Sequence, residues 1–151
     1  MPLLGFYKTL DDRTGKAQTI VRLYQCDEYM CGRIVALFNE DGTEIAETIR
    51  NPIKVAGNVP GNPKYDGLDI IWGMTWDERR SEFRNGRIMD PLSGRVYRSN
   101  IWWDSDDYNK LLVRGHVGPF GRTQVWRAVH YYDLPPELQD LDVSDWVLVI
   151  H

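Results

Sequence analysis

The sequence predicts an all-β protein in which about eight antiparallel strands follow one another and close into an up-and-down barrel. Three observations support this prediction. Apolar and polar residues alternate in successive short runs, as in half-buried strands. Turn-forming Gly, Pro, Asn and Asp recur about every dozen residues between these runs. The predicted strands are nearly all neighbours in sequence, and closing such a meander removes its exposed edges.

The N-terminal third predicts a short strand followed by a hairpin. Residues 5–10 enter a turn whose formers are Asp11, Asp12 and Gly15. Alternation then indicates strands over residues 17–26 and 31–38, and the intervening "DEYM" suits a hairpin loop.

Two cysteines lie at this hairpin. If Cys26 and Cys31 end facing strands, their Cα atoms can lie within the roughly 4.4–6.8 Å that a disulfide tolerates. Two unlinked, partly buried thiols fit the sequence equally well. A zinc site is not predicted, because two ligands are not four and no histidine is near in sequence.

Residues 39–67 show no sustained periodicity and carry several Gly, Pro and Asn breakers. A helical turn fits residues 43–49, "TEIAETI". A loop of this length is uncommon in a compact domain and is often functional, so we interpret it as a flap and not as a linker between domains.

The next part of the chain returns to strands. A buried strand is predicted over residues 68–74, and Thr75 with Glu78 has the capping-box spacing of a single helical turn. Four further strands are predicted at 84–89, 95–103, 110–117 and 122–129.

The tail predicts a short helix start at Pro135–Pro136 and a last apolar strand in "DWVLVI", residues 145–150. Such a strand on a free edge would invite pairing. It can close the barrel or cover its end, which we prefer, or pair with another copy and give self-association.

Composition sets further limits. A chain of 151 residues predicts a single domain over 1–151. The net charge of −4 argues against a general nucleic-acid binder. No apolar run approaches the roughly 20 residues of a membrane span. The N-terminus shows no signal peptide, so the protein is either cytoplasmic or numbered from a Met1 added after a removed leader.

No motif identifies a reaction. His116, His130 and His151 lack metal-ligand spacing, and no nucleophile elbow is present. Asp90 and Gly94 are explained as hairpin turn chemistry. No catalytic residue, metal or cofactor is therefore predicted, and the protein is expected not to be an enzyme.

Aromatic residues give the first indication of a binding site. In the strand at 95–103, Tyr97 and Trp103 point to one face and Trp102 to the other, so one set must line the interior. The chain holds six tryptophans. Their rings fit ordinary core packing, and they also fit the wall of a cavity in which Trp N–H and Tyr O–H groups orient a ligand.

Arg114 gives the sharper hypothesis. Arg114 lies on one face of its predicted strand. If that face points outward, Arg114 is a surface cation. If it points inward, Arg114 is a buried guanidinium that needs a carboxylate or an anionic ligand. An inward Arg114 would suit a ligand with an acidic head and an apolar body. The candidate ligand-binding residues are Tyr97, Arg114, Trp126, Trp72 and Trp102.

The chain resembles the bacterial family called domain of unknown function 2147. The matching pieces occur in the family's order from Gly5 to Arg127, among them "GFYKT" and "DGLDIIWGM". The most specific are Gly86-x-Ile88-x-Asp90-Pro91-x-x-Gly94-x-x-Tyr97, Arg114-Gly115 and Trp126-Arg127.

The resemblance implies a small lipocalin-like barrel, usually exported to the periplasm or beyond, with no established activity. Many members carry a cysteine pair in the loop before "GLDII", and this loop has none. Residues 128–151 form an extra C-terminal segment beyond the family-like part, 5–127. We therefore expect an envelope protein that binds a small apolar or acid-headed molecule. The alternative is a filled barrel acting as a structural or protein-interaction domain.

Overall fold

Nine antiparallel strands run through residues 4–151, the part of the chain that the computed structural model describes. They are β1 (Phe6–Leu10), β2 (Ala17–Cys26), β3 (Tyr29–Phe38), β4 (Ile45–Thr48), β5 (Asp69–Asp77), β6 (Glu82–Met89), β7 (Val96–Asp104), β8 (Asp107–Val117) and β9 (Phe120–Val129). A 3-10 turn (Tyr131–Asp133) and a short helix, α1 (Pro136–Gln139), follow them. The expectation that no signal peptide is visible at the N-terminus includes residues 1–3, which lie outside this described part.

The sheet closes on itself. β1 pairs with β2 on one side and with β9 on the other, and β2 also pairs with β3. Eight strands, β1 to β3 and β5 to β9, therefore form a closed antiparallel barrel, and β4 pairs with β3 alongside it. The predicted fold class is confirmed. Among the described residues, no helix is long and apolar enough to cross a membrane.

The two ends of the barrel carry different connections. One end, which we call the mouth end, has the β1–β2, β6–β7 and β8–β9 turns and the long connection 39–68. The other, which we call the closed end, has the β2–β3, β5–β6 and β7–β8 turns. The disulfide between Cys26 and Cys31, with Cα atoms 6.0 Å apart, lies at the closed end.

Aromatic rings fill the closed end. The ring of Trp76 lies 5.0 Å from that of Phe83 and 6.4 Å from that of Trp103, edge to face. Phe83 is fully buried, and the Trp103 indole N–H donates to the Tyr7 hydroxyl at 2.9 Å. Paired rings and a satisfied indole are the mark of packed core. Core packing is therefore the right interpretation for this part of the aromatic set.

Two helical turns predicted from spacing are wrong. The segment 43–49 contains strand β4, because it pairs with β3 opposite Ala36 and Leu37. The turn predicted from Thr75 is a hairpin: Asp77 Oδ1 accepts hydrogen bonds from the amides of Arg79 and Arg80. The side chain of Asp77 thereby provides the bonds that a helical turn would have provided. The first hairpin is also tighter than "DEYM", since Cys26 pairs directly with Tyr29.

The tail also differs from its prediction. The helix at Pro135–Pro136 is confirmed, but residues 145–150 form no strand. Arg33 donates to the carbonyl of Val147 at 2.8 Å, and Asp69 accepts from the amide of Val149 at 3.0 Å. Two side chains thus hold backbone groups that a strand ladder would otherwise pair. Within residues 4–151, the C-terminal strand expected to close the barrel or to pair with another copy is therefore absent, and self-association stays a prediction.

The C-terminal segment packs against the outside of the barrel instead of closing it. Leu134 and Leu138 are buried against Ile20, Val35 and Ala36 on the outer face of β2 and β3. An apolar outer wall of this kind requires a cover, which explains why the tail is apolar.

The long connection is more ordered than a free flap. A bridge joins Val55 to Lys64, and Ala56 and Val59 are fully buried in the inner core. It therefore lies against the barrel at the mouth end as part of the wall.

Candidate binding cavity

The mouth end of the barrel is hollow. A cavity of about 430 Å³ opens there between the β1, β2 and β5 to β9 walls. Its apolar lining is Ile70, Ile88, Met89, Pro91, Leu92, Tyr97, Val113, Val117, Phe120 and Trp126. Polar groups and glycines complete it: Thr9, Gln18, Thr19, Asp90, Gly115, His116, Gly121, Arg122 and Gln124.

Small inward residues leave this space empty. Gly115 occupies an inward position of β8, between Val113 and Val117. A Cβ placed there would lie 3.4 Å from Ile88 Cγ2 and 3.6 Å from Tyr97 Cβ, which is ordinary contact. A glycine here therefore leaves a volume that a larger side chain would occupy.

On the opposite wall, Thr9 and Thr19 face each other and share a hydrogen bond of 2.6 Å between their hydroxyls. Both threonines line the cavity, and both are much smaller than the rings that fill the closed end. The same barrel is thus packed at one end and open at the other because of side-chain size.

Trp126 forms the inner part of the cavity. It is only 2% exposed, and its indole N–H donates to Gln124 Oε1 at 3.2 Å. Gln124 in turn donates to Asp12 Oδ2 at 3.4 Å, and Arg122 pairs with the same carboxylate. The β9 wall therefore presents one buried ring below a short polar chain that ends in an exposed ion pair.

The β6–β7 turn forms one side of the mouth. Asp90 accepts hydrogen bonds from the amide of Leu92 at 3.0 Å and the hydroxyl of Ser93 at 2.9 Å. Gly94 has a φ of 77°, and a Cβ there would lie 2.2 Å from the carbonyl oxygen of Asn58. Asn58 also donates to the carbonyl of Leu92 at 2.7 Å. The turn is thus clamped against the long connection, and only glycine fits at its close approach.

The long connection brings the buried carboxyl of Asp66 close to the half-buried Glu47. Asp66 is 4% exposed, and its burial, together with the charge of Glu47, raises its pKa to about 8. Burial opposes ionisation of Glu47, but hydrogen bonds from the amides of Ile53 and Lys54, each 3.0 Å, leave its pKa lowered. At neutral pH, a pKa of about 8 keeps Asp66 mainly protonated, and both of its carboxyl oxygens are buried without a hydrogen-bond partner among residues 4–151.

The structure brings two of the five predicted site residues together: Tyr97 and Trp126 both line the cavity. Arg114 alternates to the outer face, where its guanidinium lies over Gly121 and is not among the lining groups. Of the two positions that the sequence left open for Arg114, the fold adopts the one on the surface. Trp102 pairs with Leu112 on the outer face, and Trp72 is half-buried opposite Arg87.

Several lining residues were not predicted as site residues, namely Ile88, Val113, Gly115, Arg122 and Gln124. A signal for them exists in the alternation. Ile88 pairs with Tyr97 on the neighbouring strand, and Gln124 lies two residues before Trp126 on the same strand. Each of them therefore shares a face with a predicted residue. To join these faces into one wall, one must also know which strands lie side by side.

Comparison with known proteins agrees with this architecture. The model of the family described as "Uncharacterized protein conserved in bacteria (DUF2147)" matches residues 5–128. The chain belongs to this family. No curated protein matches the DUF2147 chain in sequence.

The DUF2147 chain is similar in fold to the solved structure of protein HP1028 from the human pathogen Helicobacter pylori, which is described as belonging to the lipocalin family. The TM-score is 0.65 at 15% sequence identity, over 86% of this chain and 84% of that one. The fold is therefore lipocalin-like. The family match ends at residue 128, so the outer C-terminal segment lies beyond it.

Proposed function

We propose that this protein binds a small apolar or amphiphilic molecule in the mouth-end cavity. The observation that supports this most directly is the cavity of about 430 Å³, lined largely by apolar side chains. Small-molecule sites are of roughly 300–1,000 Å³ and combine an apolar lining with a few polar groups. A lipocalin-like barrel of eight strands is also wide enough to hold one small ligand.

The lining suggests how such a molecule would lie. Its apolar body would contact Trp126, Val113 and Ile88 in the inner part of the cavity. An acidic head would lie at the mouth, where Arg122 is 72% exposed at its side chain and pairs with Asp12. Arg122 thereby takes the role that the sequence suggested for Arg114.

We propose binding without catalysis, because polar groups of the cavity already have structural partners. Asp90 caps its own turn, Gln124 accepts from Trp126, and Arg122 pairs with Asp12. Groups held in this way can orient a ligand without changing its covalent bonds.

We place the protein in the cell envelope. The Cys26–Cys31 disulfide supports this, because such bonds persist mainly in oxidising compartments. The family resemblance supports it as well. In protein taken from its native cells and quenched with acid, maleimide should label neither cysteine until a reductant is added. Labelling before reduction would contradict the assignment to the envelope.

Titration with the neutral apolar fluorophore N-phenyl-1-naphthylamine tests the proposed cavity binding. Gly115→Leu fills the cavity and should weaken probe binding by roughly tenfold or more, since tenfold corresponds to only about 1.4 kcal/mol. Gly115→Ala adds one methyl at ordinary contact distance and should weaken it much less. Thr123→Leu introduces the same leucine side chain on the exposed outer face of β9 and serves as the control.

The outcome separates the two functions considered for this fold. Binding that Gly115→Leu abolishes and Thr123→Leu preserves supports the cavity. Equal binding by all four proteins would locate the probe elsewhere, and no binding by the wild type would favour a structural or protein-interaction role for the barrel.

A further inference from the structure

A basic groove lies on the outer wall of the barrel and shares His116 with the cavity. It has a volume of about 320 Å³ and lies on β6, β7 and β8. It is lined by Arg84, Asn85, Arg87, Arg98, Ser99, Asn100 and His116. The chain carries a net charge of −4, so this group of arginines is a local departure from the overall charge.

The strand register brings the cations together. Arg87 pairs directly with Arg98, and Arg98 pairs directly with His116, so three basic residues stand side by side across three strands. Arg114 lies two positions before His116 on the same face, opposite Asn100, so it is beside the groove without lining it. Like charges placed opposite each other across strands destabilise a sheet. An arrangement that costs stability indicates a charged partner outside the chain.

Three of these arginines have no carboxylate partner among residues 4–151. Arg87 donates to the backbone carbonyl of Gly86, while Arg98 and Arg114 make neither a side-chain hydrogen bond nor an ion pair there. Arg84 is the exception, since it pairs with Asp77 and Glu82. Free guanidinium groups in a row match the oxygens of phosphate groups.

The groove lies just below the mouth, next to exposed apolar side chains. Val117 follows His116 directly, and His116 lines both the groove and the cavity. Phe120 is 82% exposed, and Leu92 and Val117 are also exposed at the rim. Basic residues beside an exposed aromatic and aliphatic rim are the features with which a protein binds the interface of an anionic membrane.

We propose that this face docks the barrel onto an anionic phospholipid surface. The arginines contact lipid phosphates, and Leu92, Val117 and Phe120 enter the interface, so that the mouth of the cavity faces the membrane. Two acidic groups beside the rim have partners within the chain: Asp90 caps its turn and Asp12 pairs with Arg122. The exposed Glu40, Asp41 and Glu44 lie on the long connection after β3, and not on β6 to β8. The proposal does not require that the cavity hold a ligand.

Co-sedimentation with vesicles tests it. The wild type should bind vesicles of equal parts phosphatidylglycerol and phosphatidylcholine, bind pure phosphatidylcholine far less, and dissociate at high salt. Replacing Arg87, Arg98 and Arg114 by Gln should weaken binding by about a hundredfold, since each basic residue near such a surface contributes roughly fivefold. Phe120→Ser should weaken it by a smaller factor.

A matched control removes the same charge elsewhere. Arg79, Arg80 and Lys110 lie in the closed-end half, and their replacement by Gln should leave vesicle binding nearly unchanged. Circular dichroism and N-phenyl-1-naphthylamine binding check that both triple variants are folded.

Four results would overturn the proposal: no binding of the wild type to anionic vesicles, equal binding to neutral ones, equal losses in the two triple variants, or binding of inorganic phosphate by calorimetry without vesicle binding.

Discussion

The closed end and the mouth end of this barrel are built from the same strands but differ in what fills them. Inside the closed end, Trp76, Phe83 and Trp103 pack ring against ring, and Tyr7 accepts the hydrogen bond of Trp103. Inside the mouth end, the corresponding inward positions hold threonines, a glycine and aliphatic side chains, with the rings of Tyr97 and Trp126, around a cavity.

The difference shows that barrel closure and interior filling are separate properties. Hydrogen bonds between neighbouring strands close the ring at both ends, whereas the size of the inward side chains decides whether the space inside is used for stability or left for a ligand. We expect the closed end to carry most of the packing energy and the mouth end most of the function.

The largest expected effect comes from removing the outer support of the barrel. Ile20 lies next to Thr19, which lines the cavity, and its outer face is covered by Leu134 and Leu138. A chain ending after Tyr132 would expose that face, and we expect loss of cooperative thermal unfolding and aggregation on size-exclusion chromatography. The exposed substitution Glu137→Ser should change neither. A soluble truncated monomer with unchanged melting temperature would show that the mouth end needs no outer support.

The same substitution in each half should have unequal effects. Ile101→Ala removes a fully buried side chain at the closed end and should cost roughly 2–5 kcal/mol of unfolding free energy. Ile88→Ala lies beside existing empty space and should cost about 1 kcal/mol, because less packing is lost. Urea denaturation of both variants measures the two values. Equal losses would mean that the mouth end is as tightly packed as the closed end.

The buried carboxyl of Asp66 predicts a dependence of stability on pH. The folded-state pKa of Asp66, about 8, lies above its ordinary value of 3.8, so the folded protein binds more protons than the unfolded chain between these values. This contribution to stability is complete below pH 4 and is lost as the pH rises through 8.

Asp66→Asn keeps a neutral polar group of nearly the same size beside Glu47 and removes the titration. At pH 9 we expect the variant to be more stable than the wild type by on the order of 1–3 kcal/mol, and at pH 5 nearly equal to it. Chemical denaturation of both proteins at the two pH values is the measurement. A stability difference that does not change with pH would contradict the assignment of a raised pKa to Asp66.

The smallest expected effect on stability is at the rim. Phe120 is almost fully exposed, so Phe120→Ser should change the unfolding free energy by no more than about 0.5 kcal/mol. A loss of several kcal/mol on denaturation would show that Phe120 packs against a partner surface in solution.

Much of the fold could be predicted from the sequence because alternation and turn residues act locally. The strand at 17–26, for example, has the bounds that its turn signals indicated, and the strand predicted at 122–129 begins only two residues earlier, at Phe120. The two helical turns failed for the same local reason. Residues at the capping-box spacing also suit a hairpin turn closed by Asp77, and only pairing with β3 decides that 45–48 is a strand.

The site was less accessible to sequence reasoning. By alternation, Tyr97 and Trp103 point to the same face of their strand. Tyr97 lines the cavity and Trp103 packs in the core, because the two residues lie at different depths along the barrel. Which face of β8 is inward, and therefore where Arg114 lies, depends on the register with β7 and β9. The tail is fixed by Arg33 and Asp69, which are distant in sequence, and no local pattern reports that contact.

Nuclear magnetic resonance mapping of bound N-phenyl-1-naphthylamine tests most directly whether the hollow half is a binding site. We expect shifts of the Trp126 indole N–H and of the Ile88 and Val113 methyl groups, while signals of Phe83 and Ile101 at the closed end stay in place. Shifts restricted to the outer surface or to the closed end, or no shifts at saturating probe, would contradict the account.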